Sequence, residues 1–388
     1  MLRIFWHRIR LGFVLIAITG ATPAWPAMAD PLVPDAAVER LHAVWNAPKL
    51  YEDSANPVIQ SFALVGRYHG QYWSVDADQG EVDGWENRRI FYGFKSTLFR
   101  DFLVEVQASA ADDFAPAYDG LYVAYVNWSP KDAEISASAG RLDYLFTGLE
   151  RSLSSKRIAT FERALLVNQL MPGEVFGLHL ETTHKLLSFH TGLYSGSIEQ
   201  EFTRFNGGFA VDFGLAYRLP LFFDEGTLHV DLLFQDGDPD NNAFEPYKRI
   251  ASVWHQGRAG PFGLGVDVTA GGGGQDGRAS VYGLTVLPTY DISKNLLLGG
   301  DKLQLALRYH FAESDGDNGL QLPARYEQEV TAGDGDSFHS LYAGLNYFLY
   351  GDRLKLMAAV EYSDMEDAAN DGGDYQGWTY LAGLRLYF

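Results

Sequence analysis

Apolar residues recur at every second position through stretch after stretch of this 388-residue chain. In "SFALVGRYHGQYW", Phe62, Leu64, Gly66, Tyr68 and Tyr72 form one face, and Ser61, Arg67, His69 and Gln71 form the other. "NRRIFYGFKSTLF" sets Ile90, Tyr92, Phe94 and Leu98 against Arg89, Lys95 and Thr97. "KLQLALRYHF" sets Leu303, Leu305, Leu307, Tyr309 and Phe311 against Gln304, Arg308 and His310. A period of two belongs to a strand with one greasy and one wet face. About sixteen such stretches lie between residues 58 and 388. No apolar run reaches the ~20 residues of a spanning helix.

The connections alternate in length. Arg100-Asp101, "PKD", "AGP" and "YGD" are short; "DADQGEVDG", "QDGDPDNNAFEPY", "ESDGDNGLQLPARYEQEVTAGDGD" and "DMEDAANDGGD" are long and polar. Short turns on one rim, long loops on the other and an even strand count describe an all-β, transmembrane antiparallel β-barrel of the outer-membrane type. A soluble sandwich also alternates, but its outward face is polar, whereas here the apolar face carries Leu, Val, Phe and Tyr throughout. Closing that face against lipid leaves no unpaired backbone in the bilayer. The outer loops are expected at 76–83, 111–119, 142–173, 197–206, 236–247, 272–277, 313–336 and 364–374.

The first residues explain how such a chain would reach that membrane. Arg3, Arg8 and Arg10 precede a short apolar core, and Ala27-Met28-Ala29 supplies an A-x-A site, so residues 1–29 read as a signal peptide. Residues 30–57 then form a short periplasmic segment, helix-like from about Asp35 to Trp45, with Ala37, Val38, Leu41, Val44 and Trp45 on one stripe. At the other end "TYLAGLRLYF" alternates to its last residue. Phe388 therefore reads as the terminal aromatic that the barrel assembly machinery recognises, on a strand that also pairs with the first.

Fifty acids against 30 bases argue against nucleic acid as a partner. The expected outer loops hold 29 acids and 6 bases, so they are the source of the imbalance. Such loops are suited to sharing Ca²⁺ or Mg²⁺ with lipopolysaccharide phosphates. The loop at 142–173 differs: it carries Arg151, Lys156, Arg157 and Arg163, with Leu149, Leu153, Ile158, Phe161, Leu165 and Leu166. A long loop with its own apolar residues packs against something. The lumen is the expected place, where it would constrict the pore; a cap on the outer rim is the alternative. Alternation points Arg67, Arg89, Lys95, Arg218, Arg308, Lys355 and Arg385 inward, together with Glu105, Glu134, Glu181, Asp212, Asp231, Asp267 and Glu361.

Hydrolytic chemistry needs a base with a pKa near neutrality, usually His. The expected outer loops contain none, and His69, His179, His190, His229 and His310 read as dispersed wall residues. "AGGGGQDG" lacks the Lys-Ser/Thr of a phosphate-binding loop and reads as a turn. No cofactor or metal is expected, and the chain has no cysteine.

"GRYHGQY", "ENRRIFYGFKSTLF", "SSKRIATFERALL" and "GLNYFLY" together resemble the phosphate-selective O/P porins, the third-loop piece being the most specific. The resemblance implies a sixteen-stranded homotrimeric channel whose third loop constricts a lumen that attracts anions. Arg67, Arg89, Lys95, Lys156, Arg157 and Arg163 occupy the matching positions. Seven inward bases against seven inward acids depart from an anion ladder. The expected function is therefore passive diffusion of small hydrophilic solutes through the outer membrane of a Gram-negative cell, with a mild anion preference. Phosphate-selective uptake is the nearest alternative; an outer-membrane hydrolase and a plugged structural barrel are more distant ones.

Overall fold

A computed structural model describes residues 35–388, apart from 199–200, 275–277, 297–299, 318, 324, 332 and 369–372. The signal-peptide segment lies outside the described residues. Sixteen antiparallel strands follow in chain order: β1 (Ile59–Ala77), β2 (Gly80–Leu98), β3 (Phe102–Ser109), β4 (Gly120–Trp128), β5 (Ile135–Asp143), β6 (Glu174–His184), β7 (Leu187–Ser195) and β8 (Phe209–Arg218). They continue with β9 (Glu225–Gln235), β10 (Tyr247–Ala259), β11 (Phe262–Gly274), β12 (Val281–Lys294), β13 (Lys302–Ser314), β14 (Ser337–Phe348), β15 (Leu354–Ala368) and β16 (Gly373–Tyr387). Each pairs with the next, and β16 returns to β1 in a register that sets Leu386 opposite Tyr68. The sheet is a closed barrel.

Burial is inverted relative to a soluble protein. Leu64, Tyr92, Leu178, Val253, Leu341 and Leu356 are exposed, whereas Arg67, His69, Gln71, Asn346, Lys355 and Arg385 are buried. The greasy face looks out and the polar face looks in, as lipid requires.

Two expectations about the strands need correction. Residues 76–83 are not a loop: β1 and β2 run on to a two-residue Asp78-Gln79 turn, with Asp76 opposite Glu81 and Ser74 opposite Asp83. Above the bilayer both faces are wet, so alternation fades while backbone pairing persists. Glu134 lies in the turn before β5 rather than on the lumen wall, exposed and 3.0 Å from His184 Nδ1.

Helix α1 (Asp35–Asn46) packs on the same rim as the C-terminus. Trp45 Nε1 donates to the Tyr387 carbonyl at 2.9 Å, and the His42 ring stacks on Tyr350 with centroids 4.3 Å apart. Val38 and Trp45 are buried, but Val44, expected on the same stripe, is 64% exposed. A short strand, Lys49–Glu52, then adds to the start of β1.

The barrel seam ends on Phe388. Its N–H donates to Gly66 O at 3.1 Å, and its carbonyl accepts from Gly66 N at 3.2 Å. The ring lies over Gly66, where a Cβ would overlap it. Phe388→Ala would remove this lid while leaving the strand pairing intact. The expected outcome is slow assembly, seen as unfolded chain on heat-shift gels, with unchanged conductance for the fraction that inserts. Assembly at the normal rate would show that the terminal ring is dispensable.

Candidate functional site: the third loop inside the lumen

Residues 144–173 leave β5 and re-enter at β6, and between these points they fill part of the barrel interior. Leu149, Ile158, Phe161, Leu165, Leu166 and Leu170 are all at most 3% exposed. The wall makes room for them with glycine. A Cβ at Gly265 would meet Leu149, at Gly271 Leu170, at Gly283 Leu166 and at Gly383 Phe161. Close packing of this kind makes one placement of the loop much better than its neighbours. Helix α2 (Leu165–Leu170) is the loop's only helical turn among the described residues.

The wall charges hold the loop backbone. Arg385 donates to Ser155 O at 3.0 Å and Thr160 O at 3.1 Å, and also to Phe161 O. Lys355 Nζ donates to Ile158 O at 3.0 Å, and Arg67 Nη1 to Ser155 Oγ at 2.8 Å. From the opposite wall, Asp231 accepts from Gly148 N at 3.0 Å and Asp267 from Leu149 N at 2.8 Å. Arg308 bridges Glu150 of the loop at 3.1 Å and Glu361 of β15 at 2.9 Å, and it also donates to Glu162 O at 2.8 Å. Both lysine and arginine are otherwise costly to bury; here each charge meets an oxygen. Six of the fourteen charges expected to point inward thus moor the loop: Arg67, Arg308, Lys355, Arg385, Asp231 and Asp267.

The loop's own bases divide into two pairs. Arg151 is tied to Asp143 Oδ1 at 2.9 Å and to Pro172 O at 2.9 Å. Arg163 donates to Glu150 O at 2.9 Å and Leu153 O at 2.7 Å. Lys156 instead sits over the Tyr387 ring, 4.8 Å from its centroid. Burial, reinforced by the Arg67 charge, pulls its ammonium down to about 8. Arg157 is exposed and has no side-chain partner among the described residues. On the wall, Lys95 is likewise exposed.

Open space remains on both sides of the loop. A cavity of about 570 Å³ is shared with the outer loops and includes Arg89, Arg163, Glu174, Glu245 and Arg325 in its lining. One of about 590 Å³ reaches the inner turns and is lined by Arg157, Lys185, Arg218 and Arg258, with Glu225 as its only acid. A third of about 350 Å³ lies beside Arg67, Glu105 and Lys156.

Three features were not evident from alternation. Arg88 faces inward as well as Arg89, because a bulge sets Asn87 and Arg88 opposite Gly70 alone, between the pairs His69–Arg89 and Gln71–Glu86. Arg88 then grips Glu162 of the loop with contacts of 2.8 and 3.2 Å. The loop at 313–336 also folds inward: Leu320, Leu322 and Tyr326 are buried, and Arg325 pairs with Glu86 at 2.7 Å. Its apolar residues were visible in "LQLPARYEQEV" but were masked by the acids around them. Finally, the wall histidines are not all dispersed. His179 stacks on Phe146 at 3.5 Å and lies 5.4 Å from His190, while His229 stacks on Trp254 at 3.5 Å.

Among solved structures, OprB of Pseudomonas putida shares 9% identity over 94% of this chain and 100% of its own, with a TM-score of 0.59. OmpF of Salmonella typhi shares 15% over 88% and 100%, with a TM-score of 0.56. The outer membrane channel DcaP of Acinetobacter baumannii shares 11% over 87% and 99%, with a TM-score of 0.55. The chain therefore has the porin-like fold of outer-membrane channels. No protein-family model matches the sequence, and no curated protein matches it significantly.

Proposed function

We propose that this chain is a diffusion channel for small hydrophilic solutes in the Gram-negative outer membrane, with a mild anion preference set by Lys156 and Arg157. Support comes chiefly from one observation: of the four loop bases, these two are not spent on the loop's own oxygens. A charge beside a narrow, poorly hydrated passage acts strongly, whereas acids in the wide outer mouth are screened beyond ~10 Å at 0.1 M salt. Arg67, Arg308 and Arg385 are occupied by the loop, which leaves few free donors for a phosphate-selective ladder. In this reading residues 1–29 direct export and Phe388 is read by the barrel assembly machinery. The outer loops meet lipopolysaccharide, and the barrel works as a homotrimer.

Reversal potentials in a salt gradient test the assignment. Replacing Lys156 and Arg157 together by Gln should move the potential toward cations. In the unaltered protein the anion preference should decline as pH rises through about 8, where Lys156 loses its proton. A double variant with the original potential would remove these residues from the selective step.

A further inference from the structure

The inner turn between β8 and β9, Leu219-Pro220-Leu221-Phe222-Phe223-Asp224, folds outward onto the greasy side of the wall. On β10, Trp254 points inward, where its Nε1 donates to Asp231 at 2.6 Å. Val253, His255 and Gly257 alternate with it and therefore face out. The Phe223 ring stacks on His255 with centroids 5.7 Å apart and on Phe262 of β11 at 6.4 Å, and a Cβ at Gly257 would overlap it. His255 Nε2 donates to the Leu219 carbonyl at 2.9 Å. A polar ring on a lipid face needs a partner from the protein itself, and this turn supplies one. Asp224 N donates to Arg258 O at 2.9 Å and Gly260 N to Asp224 Oδ2 at 3.0 Å, so the turn is fastened to the β10–β11 hairpin at its far end too. The fixed path holds Leu221 at a φ of 51°, where bulky side chains are rare. It also leaves Phe222 96% exposed, more than any other large apolar residue among those described.

We propose that this turn is a hook that anchors the barrel in the periplasmic leaflet, with Phe222 inserted among phospholipids where headgroups meet acyl chains. The proposal needs a membrane-spanning barrel and is independent of which solute passes through it. Lipid is the occupant because the hook continues an apolar surface already turned toward lipid. Tyr217 of β8, Val230 of β9, Val253 of β10 and Phe262 of β11 are all exposed on the outward face, and the hook stands at the inner-rim end of that band. Strand aromatics at this depth follow from alternation and belong to any such barrel. A turn bent out of the rim does not follow from alternation, and strain retained at an exposed position points to a use. The hook carries no base and is followed by Asp224 and Glu225, so its hold comes from apolar insertion and not from anionic headgroups.

The chain has no cysteine, so Phe222→Cys gives a single position for a nitroxide label. Power-saturation EPR on the full barrel in vesicles of phosphatidylethanolamine and phosphatidylglycerol compares access of oxygen, which partitions into lipid, with access of a water-soluble nickel chelate present on both sides. The oxygen-to-nickel ratio should be several-fold above that of Lys131→Cys, an exposed position in the inner turn between β4 and β5, and should approach that of Val253→Cys on the lipid face. Adding Phe223→Ser should free the hook and bring the ratio down to the Lys131 level. The Phe222 ring is so exposed that its replacement removes little packing, and Leu221→Cys, 57% exposed on the same turn, provides a second position. A ratio equal to that of Lys131→Cys at both hook positions overturns the proposal. So does a label closed to both reagents, which would mean burial against a second copy of the chain. A label that keeps its depth after Phe223→Ser overturns the part given to the ring stack in aiming the hook.

Discussion

Excising residues 145–172 and joining Tyr144 to Gly173 by a two-residue glycine-rich turn is expected to raise single-channel conductance several-fold. The splice is geometrically mild, because Asp143 already pairs with Glu174 and Tyr144 N donates to Gly173 O at 3.0 Å. The new link would be an ordinary hairpin. The barrel should survive, since its ladder is complete without the loop and Asp231, Asp267, Arg308, Lys355 and Arg385 would then face lumen water. Anion preference should vanish with Lys156 and Arg157. Planar-bilayer recordings decide the matter: conductance equal to that of the full chain would place the limiting constriction elsewhere, with the inward-folded loop at 313–336 next in line.

Raising the pH from about 4.5 to 7 should loosen that second loop from the wall. Glu327 is 3% exposed; its Oε1 accepts from Thr379 at 3.1 Å, and its Oε2 has no hydrogen-bond partner among the described residues. Glu361, itself paired with Arg308, faces it from the neighbouring strands, and the Tyr375 ring lies nearby. Burial, followed by the Glu361 charge, raises the Glu327 carboxyl to about 7. The docked loop therefore holds the proton more tightly than the released loop, whose carboxyl titrates near 4.5. Docking is strongest below the lower value and weakens as pH climbs to the upper one, by an amount on the order of 3 kcal/mol. Protease cutting within 313–336 should rise across that interval, and Glu327→Gln should make it flat. Cutting in the variant that still follows pH would assign the effect to another group.

The barrel was legible because lipid enforces a strict rule: every second residue of a spanning strand must be apolar, and the rule repeats sixteen times. Above the membrane the rule lapses, so residues such as Asp76 and Glu81 look like loop in the sequence although they are paired strand. The third loop was legible for the opposite reason, since Leu149, Phe161 and Leu166 have no business in a solvated connection. What alternation could not convey is which inward charge touches which backbone atom. Arg385 and Lys95 look alike in sequence, yet one holds three carbonyls of the loop and the other stands exposed. Arg88 was hidden by a bulge, whose extra residue shifts the inward-outward alternation of β2 from that point to the turn.

The mooring of the third loop also bears on how such a channel can diverge. Holding the loop falls to Arg385, Lys355, Asp231 and Asp267, and in the proposed channel choosing the solute would fall to other side chains, Lys156 and Arg157. Changes in the second group leave the moorings unstrained, so permeability can drift between descendants faster than architecture. Lineages adapting to new nutrients would then vary at a handful of lumen positions while the glycines facing Leu149, Leu166, Leu170 and Phe161 stay put.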